Sequence, residues 1–264
     1  MTIGADGRAR RAGVIAAGRG NRLTHVSHPL KPLVRVGGRT LIERVLLSLA
    51  EACPVEVVII VNETSLAVKD HVTGSRTWPF AVRWIVETTP SSMHSFLRVV
   101  ETLAGDGDGG PFLISTVDTI AAPGAFGAFA AASRIPDVDV TLAVTPQIDD
   151  EKPLLVRLGP DGTTVEAIGE TVRRTAGGQG GPADLQEQGH RAIWATAGYY
   201  AVRPSVLREA DAARRDGVSA LRLFFERLLV RGYRLHAVPV GAGIDVDRPA
   251  DVRAAETFLK QVGA

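Results

Sequence analysis

The chain has 264 residues, 45% of them hydrophobic, with 30 basic and 29 acidic side chains and a formal net charge of +1. That length carries one large α/β domain or two small ones, and the charge balance excludes a dedicated nucleic-acid binder, whose basic face would show in the total. The single cysteine, Cys53, excludes an internal disulfide and a cysteine-based zinc cluster, and a small buried apolar position is expected for it.

Residues 1–12 are polar and basic and read as a flexible lead, with no apolar run of signal-peptide or membrane-span length. A cytoplasmic protein with no membrane partner is expected. Residues 13–17 form a first apolar strand, of the kind buried at the centre of a parallel sheet. Residues 39–52 place Leu41, Ile42, Val45, Leu46 and Leu49 on one helical face. Thr40 and Glu43 there have the capping-box spacing. Strands are expected at 55–61 and 80–86, and a helix capped by Ser91 and Ser92 over 93–103. A strand at 111–115 delivers Asp118, a helix covers 124–133, and a strand covers 138–144. Beyond Thr145 the texture changes. Two strands flank the Pro-Asp-Gly turn at 160–162, and the glycine-rich stretch 173–189 reads as a mobile loop. A strand at 192–202, a helix from Pro204, an amphipathic helix at 219–231 and a strand at 235–240 follow. Residues 241–247 read as a loop, and Pro249 opens the last helix. The alternation predicts an α/β fold with a doubly wound, mostly parallel sheet in three α/β/α layers and a small substrate-side lobe. One domain over 13–264 is expected, with 13–145 as its nucleotide-binding part and 146–264 as its acceptor side.

The chemistry concentrates in residues 13–33, GVIAAGRGNRLTHVSHPLKPL. The apolar run breaks at Gly18-Arg19-Gly20, then meets Arg22 and, after a polar gap, Lys31. Glycines let backbone approach phosphate oxygens; Arg adds forked donors and Lys a mobile point charge. The loop suits a polyphosphate. It lacks the Walker A spacing, and no third glycine completes a dinucleotide fingerprint. His25 and His28 read as plain loop residues, and Trp78, Trp84 and Trp194 as packing residues. Asp118 follows a strand, where open α/β sheets bind ligands. Asp245 and Asp247 end another strand-loop segment, and Asp247 could equally cap the last helix. Converging acids there would offer hard oxygens to Mg²⁺.

AAGRGNRL followed by HPLKPLVRVGGRTLIERVL resembles the signature of the nucleoside-triphosphate-dependent sugar-phosphate nucleotidylyltransferases. TAGYYAVRPSVL at 196–207 and GIDVDRPADVRAAETFL at 243–259 are similar to that family's later segments. The resemblance implies a Rossmann-like nucleotidyltransferase fold. It implies transfer of a nucleoside monophosphate from an NTP to a sugar phosphate or related small phosphorylated alcohol, with Mg²⁺ as cofactor. Ala16, Ala17, Gly18, Gly20 and Ser91 would meet the nucleotide. Arg22 and Lys31 would hold phosphates as catalytic cations, Asp118 and Asp245 would bind metal, and Glu170 and Gly198 would face the acceptor. The sequence departs from the family at S-T-V-D, where N-G-D is usual, and at TPSSM (89–93), where L-G-T-A-G usually meets the base. Two alternatives stay open: a nucleotide- or sugar-nucleotide-binding regulatory subunit without catalysis, and a transferase that uses a preformed nucleotide sugar. A homo-oligomer is compatible with either.

Overall fold

The computed structural model describes residues 11–18, 30–105, 110–146, 153–175 and 193–264. Residues 1–10 of the expected lead, Gly20, Arg22, His25, His28 and most of the glycine-rich stretch 173–189 lie outside the described residues, while Arg11 and Ala12, expected in the lead, belong to the first strand, paired with Glu56 and Val57.

The chain opens with β1 (Arg11–Ile15) and resumes in a 3-10 turn at Lys31–Leu33. A small hairpin of β2 (Arg35–Val36) and β3 (Arg39–Thr40) follows, turning on Gly37 and Gly38 at φ of 54° and 81°. Next come α1 (Leu41–Glu51), β4 (Glu56–Val61), α2 (Leu66–Ser75), β5 (Ala81–Val86), α3 (Ser92–Ala104), β6 (Phe112–Thr116) and β7 (Thr119–Ala121). The second half runs α4 (Ala125–Ala132), β8 (Val140–Thr145), β9 (Leu155–Leu158), β10 (Val165–Ile168), α5 (Glu170–Thr175) and β11 (Ile193–Val202). It ends with α6 (Ala210–Arg215), α7 (Leu221–Val230), β12 (Leu235–Pro239), β13 (Gly243–Asp245) and α8 (Pro249–Gln261).

Nine described strands form one sheet, with main order β10-β9-β11-β6-β1-β4-β5 and with β8 pairing both β11 and β12. The run from the edge strand β5 through β4 and β1 to β6 is parallel, with the apolar strands β4, β1 and β6 inside it, and β11 joins antiparallel to β6. Period-two alternation sorts side chains to the two faces. Ile15, Val58 and Ile60 pack under α3, while Val14, Ile59 and Val61 pack with Leu46, Leu49 and Phe126 of α1 and α4. The result is the three-layer α/β/α fold expected from the sequence.

Local chemistry accounts for the element ends. Thr40 and Glu43 form the anticipated capping box, and Ser91 caps α3. The stretch 241–247, expected to be a loop, contains β13, which pairs antiparallel with β7 in the register Asp245 with Thr119. Neither strand exceeds three residues, too short for an alternation pattern to register. Cys53 is exposed rather than buried, because the chain leaves α1 through a residue at φ 52°. The three tryptophans pack against the core, with Trp78 stacked on Phe80 at 5.8 Å.

Gly13 explains how α3 comes close to the sheet. A Cβ there would lie 2.2 Å from Val99 Cγ1. Gly13→Ala is therefore expected to cost about 1–3 kcal/mol through overpacking. Gly74→Ala, in α2 with nothing within 4 Å, is expected to add up to about 0.5–1 kcal/mol. Urea denaturation of the two variants checks both signs.

Candidate active site

The ends of β1 and β6, side by side and parallel, carry the site. β1 runs out into Ala16, Ala17 and Gly18. Ala16 is buried and its N–H donates to Ile60 O at 3.0 Å; Ala17 O accepts from Asn62 Nδ2 at 3.2 Å. Gly18 is exposed, and open space surrounds its Cα.

Past the end of β6, the chain turns at Asp118 into β7. Asp118 is drawn into a cluster with two groups from distant parts of the sequence. Lys31 Nζ donates to Asp118 Oδ2 at 2.6 Å and also to Asp247 Oδ1. The Lys31 side chain is only 9% exposed, against 23% for Asp118 and 35% for Asp247. Burial alone would lower the pKa of Lys31, but the charges of Asp118 and Asp247 outweigh it and raise the pKa above the usual lysine range. Burial pushes Asp118 up, and Lys31, with a hydrogen bond from Thr116, more than reverses it, so its pKa falls below the ordinary carboxylate range. Lys31 and Asp118 are therefore both charged at neutral pH.

The backbone clamps this cluster. Val246 N donates to Asp118 O at 3.1 Å, which fixes the segment after β13 against the turn after β6. Thr119 Oγ1 donates to Asp245 Oδ1 at 3.1 Å, and Thr116 Oγ1 donates to Gly198 O at 3.3 Å. Asp251, not Asp247, caps the last helix: its Oδ2 accepts from Asp247 N at 3.0 Å and Arg248 N at 2.7 Å. The Asp247 carboxylate instead meets Lys31. The sequence pattern pairs Asp118 with Asp245; the structure brings Asp118 and Asp247 onto one ammonium and Asp245 onto Thr119. Two acids so close in sequence look alike, and only the hairpin of β7 with β13 distinguishes them.

A cleft of about 470 Å³ opens beside the cluster, lined by Ile15, Thr116, Tyr200, Asp245 and Asp247 on one side and by Ser92, Leu221 and Arg222 on another. Burial, with the negative charges of Asp245 and Asp118, holds the Tyr200 hydroxyl protonated by raising its pKa. Ser91 sits at the rim as the cap of α3, its Oγ 2.8 Å from His94 Nδ1. Ser92 Oγ accepts from Leu221 N at 3.1 Å and ties α7 to α3. Gly198 takes φ 78° where the pairing register of β11 shifts, and a Cβ there would fall 1.9 Å from Thr119 Oγ1. Its observed role is to make room for the Thr119–Asp245 contact. Glu170 begins α5 as an exposed residue outside the cleft lining, its N–H 3.4 Å from Glu226 Oε1. Sequence reasoning missed Thr116, Thr119, Tyr200 and Arg222, none of which carries a local signal.

Among the described residues no group of three or more His, Cys, Asp or Glu side chains converges to hold a metal. Two carboxylates do converge. Two hard oxygen donors suit a cation that takes its remaining ligands from water and substrate phosphates, which is the habit of Mg²⁺.

Residues 12–218 match the family model described as the MobA-like NTP transferase domain. The chain belongs to this family. A relative from Streptomyces rubellomurinus, named CMP-5'-(3-aminopropyl)phosphonate synthase, is 30% identical over 245 residues, which cover 92% of this chain and 35% of the relative. The chain thus spans about a third of that relative's length. The inositol-1-phosphate CTP transferase from T. maritima shares the fold, with a TM-score of 0.71 at 18% identity over 96% of this chain and 97% of that one. UDP-glucose pyrophosphorylase, solved with UDP-glucose, shares it at a TM-score of 0.70 and 13% identity, over 96% and 99% of the two chains. No described helix of the chain is long and apolar enough to cross a membrane.

Lys31→Met would leave Asp118 and Asp247 facing each other without their counter-ion. The expected cost is about 2 kcal/mol, below the ~3–5 kcal/mol of a fully buried pair because both acids keep some solvent. With the Lys31 pKa raised and that of Asp118 lowered, the contribution is complete between about pH 4 and pH 10. Below that window Asp118 takes up a proton, and above it Lys31 loses one. Urea denaturation in chelator-treated buffer should show the gap between wild type and variant at pH 7 and its collapse as pH falls below about 4. Gly198→Ala should cost about 2–4 kcal/mol through left-handed strain and the clash with Thr119, read by the same method.

Proposed function

We propose that the protein transfers a nucleoside monophosphate from an NTP to a small acceptor bearing a phosphate or phosphonate, with release of pyrophosphate. The observation that carries this reading is the Lys31–Asp118–Asp247 cluster at the C-terminal ends of two parallel strands, beside the cleft. The position is the one at which open α/β sheets bind phosphorylated ligands.

Asp118 and Asp247 would hold Mg²⁺, with Asp245 beside them and fixed by Thr119. A bound divalent ion supplies neutralisation of phosphate charge. The backbone at Ala16, Ala17, Gly18 and Gly20 borders the triphosphate, and Arg22 and Lys31 supply cations to its oxygens. An acceptor phosphate or phosphonate oxygen, already anionic, attacks the α-phosphorus. The bond from that phosphorus to the bridging oxygen breaks, and pyrophosphate leaves with the electron pair. No covalent enzyme intermediate and no strong general base are required. The work left to the protein is alignment and charge neutralisation.

The names of two similar proteins, a CMP-phosphonate synthase and a CTP transferase, make CTP the first donor to test and phosphonates a natural addition to sugar and cyclitol phosphates as acceptors. The intact glycine turn with Arg22 favours an NTP over a preformed nucleotide sugar.

A matrix of NTPs against these acceptors, read by pyrophosphate release, is expected to yield one productive pair that requires a divalent cation. In that pair Asp118→Ala and Arg22→Ala should each lose at least about 100-fold in kcat/KM. Unchanged turnover in both folded variants would refute the assigned roles. Tight nucleotide binding with no turnover across the whole matrix would point instead to a regulatory subunit.

A further inference from the structure

Asp118 and Asp247 are the acids to which the proposed function assigns a divalent cation, and a cation already sits between them. Lys31 Nζ bonds both carboxylates through Asp118 Oδ2 and Asp247 Oδ1. A metal held by the same two carboxylates would compete with the ammonium for their negative charge. The ammonium and the metal cannot both keep them.

The backbone under Lys31 is fixed. Pro32 follows it within the 3-10 turn, Leu33 N donates to Leu30 O at 2.9 Å, and Val34 N donates to Lys31 O at 3.1 Å. Asp118 is fixed in turn through its own carbonyl, by Val246. The flexible part of the cluster is the four-carbon stem of the lysine, with its three rotatable donors.

Charge balance sets the terms of the exchange. Within the cluster, one ammonium bridges two carboxylates. A divalent ion in its place would make the pair neutral. The displaced ammonium, on a side chain only 9% exposed, would then have lost both partners, a costly state unless another anion receives it. An incoming triphosphate is such an anion.

We infer that Lys31 is an exchangeable counter-ion, which holds Asp118 and Asp247 together in the free enzyme and surrenders them when metal and nucleotide arrive. Lys31 then turns to the nucleotide phosphates. One side chain thus gates the metal site, and the free enzyme resists loading with metal alone. Binding of metal and binding of nucleotide are linked through the same residue, reciprocally. The inference rests on the proposed function only in naming the two acids as metal ligands.

Direct metal binding tests it. Mn²⁺ is titrated into the full chain without nucleotide, with free Mn²⁺ followed by electron paramagnetic resonance and folding by circular dichroism. Lys31→Met removes the competitor and is expected to bind Mn²⁺ at least about tenfold tighter than wild type. Lys31→Arg keeps the charge and grips both carboxylates with a fork, so it is expected to bind no tighter than wild type. In wild-type protein carrying ¹³Cε-labelled lysine, the Lys31 resonance, assigned by its absence in Lys31→Arg, is expected to shift on addition of Mg²⁺ with a non-hydrolysable CTP analogue. Folded Lys31→Met with wild-type Mn²⁺ affinity, no Mn²⁺ binding by either protein, or a Lys31 resonance that stays in place would each overturn the inference. If Lys31→Met does not fold, the wild-type resonance decides alone. None of these readouts needs an acceptor or turnover. A negative pyrophosphate matrix therefore sinks the proposed reaction and leaves the exchange to be judged by itself.

Discussion

A buried lysine facing two carboxylates is the constraint on which the rest of the site depends. Taking an ammonium out of water is unfavourable, and only close opposite charges make it tolerable. Lys31 finds them 87 and 216 residues away in sequence, in Asp118 and Asp247. Three segments that share no local chemistry are thereby held at one point. What satisfies that ammonium sets the arrangement of the cluster.

The scaffold brings those segments together through ordinary packing. β1 and β6 lie parallel, so their ends open on the same edge of the sheet. The hairpin of β7 with β13 draws the approach to α8 across that edge. Asp251, in the first turn of α8, accepts from the N–H groups of Asp247 and Arg248 just before the helix and fixes that approach. Gly198, where β11 shifts register, leaves the space in which Thr119 reaches Asp245. Gly13 lets α3 sit against β1, and α3 carries Ser91 and Ser92 to the rim of the cleft. Each of these is a small steric or hydrogen-bonding event, yet together they decide which acid faces which cation.

This arrangement also separates two kinds of residue in the family pattern. Asp118 and Lys31 stand in the cluster itself, whereas Gly198 acts on it through Thr119. Glu170 stands apart, at the start of α5 and outside the cleft lining. Family membership is carried by residues 12–218, and the fold is shared with proteins at 13–18% identity. Likeness at that level speaks for the fold and not for the side chains around the cleft.

The amino-acid sequence by itself determined the helices with a clean apolar face, the capping box at Thr40 and Glu43 and the buried central strands. These are local matters, set by periodicity, capping and backbone freedom within a few residues. It also marked Lys31 and Asp118, because a glycine turn with spaced cations and an acid past a strand are legible in one dimension. Tertiary structure alone decided that Asp247 and not Asp245 shares the lysine, that Asp251 caps α8, and that Cys53 faces solvent. Those outcomes turn on a three-residue strand pairing and one positive φ. No periodicity announces either, since the energy that selects them comes from partners more than a hundred residues away or from the way a turn leaves its helix.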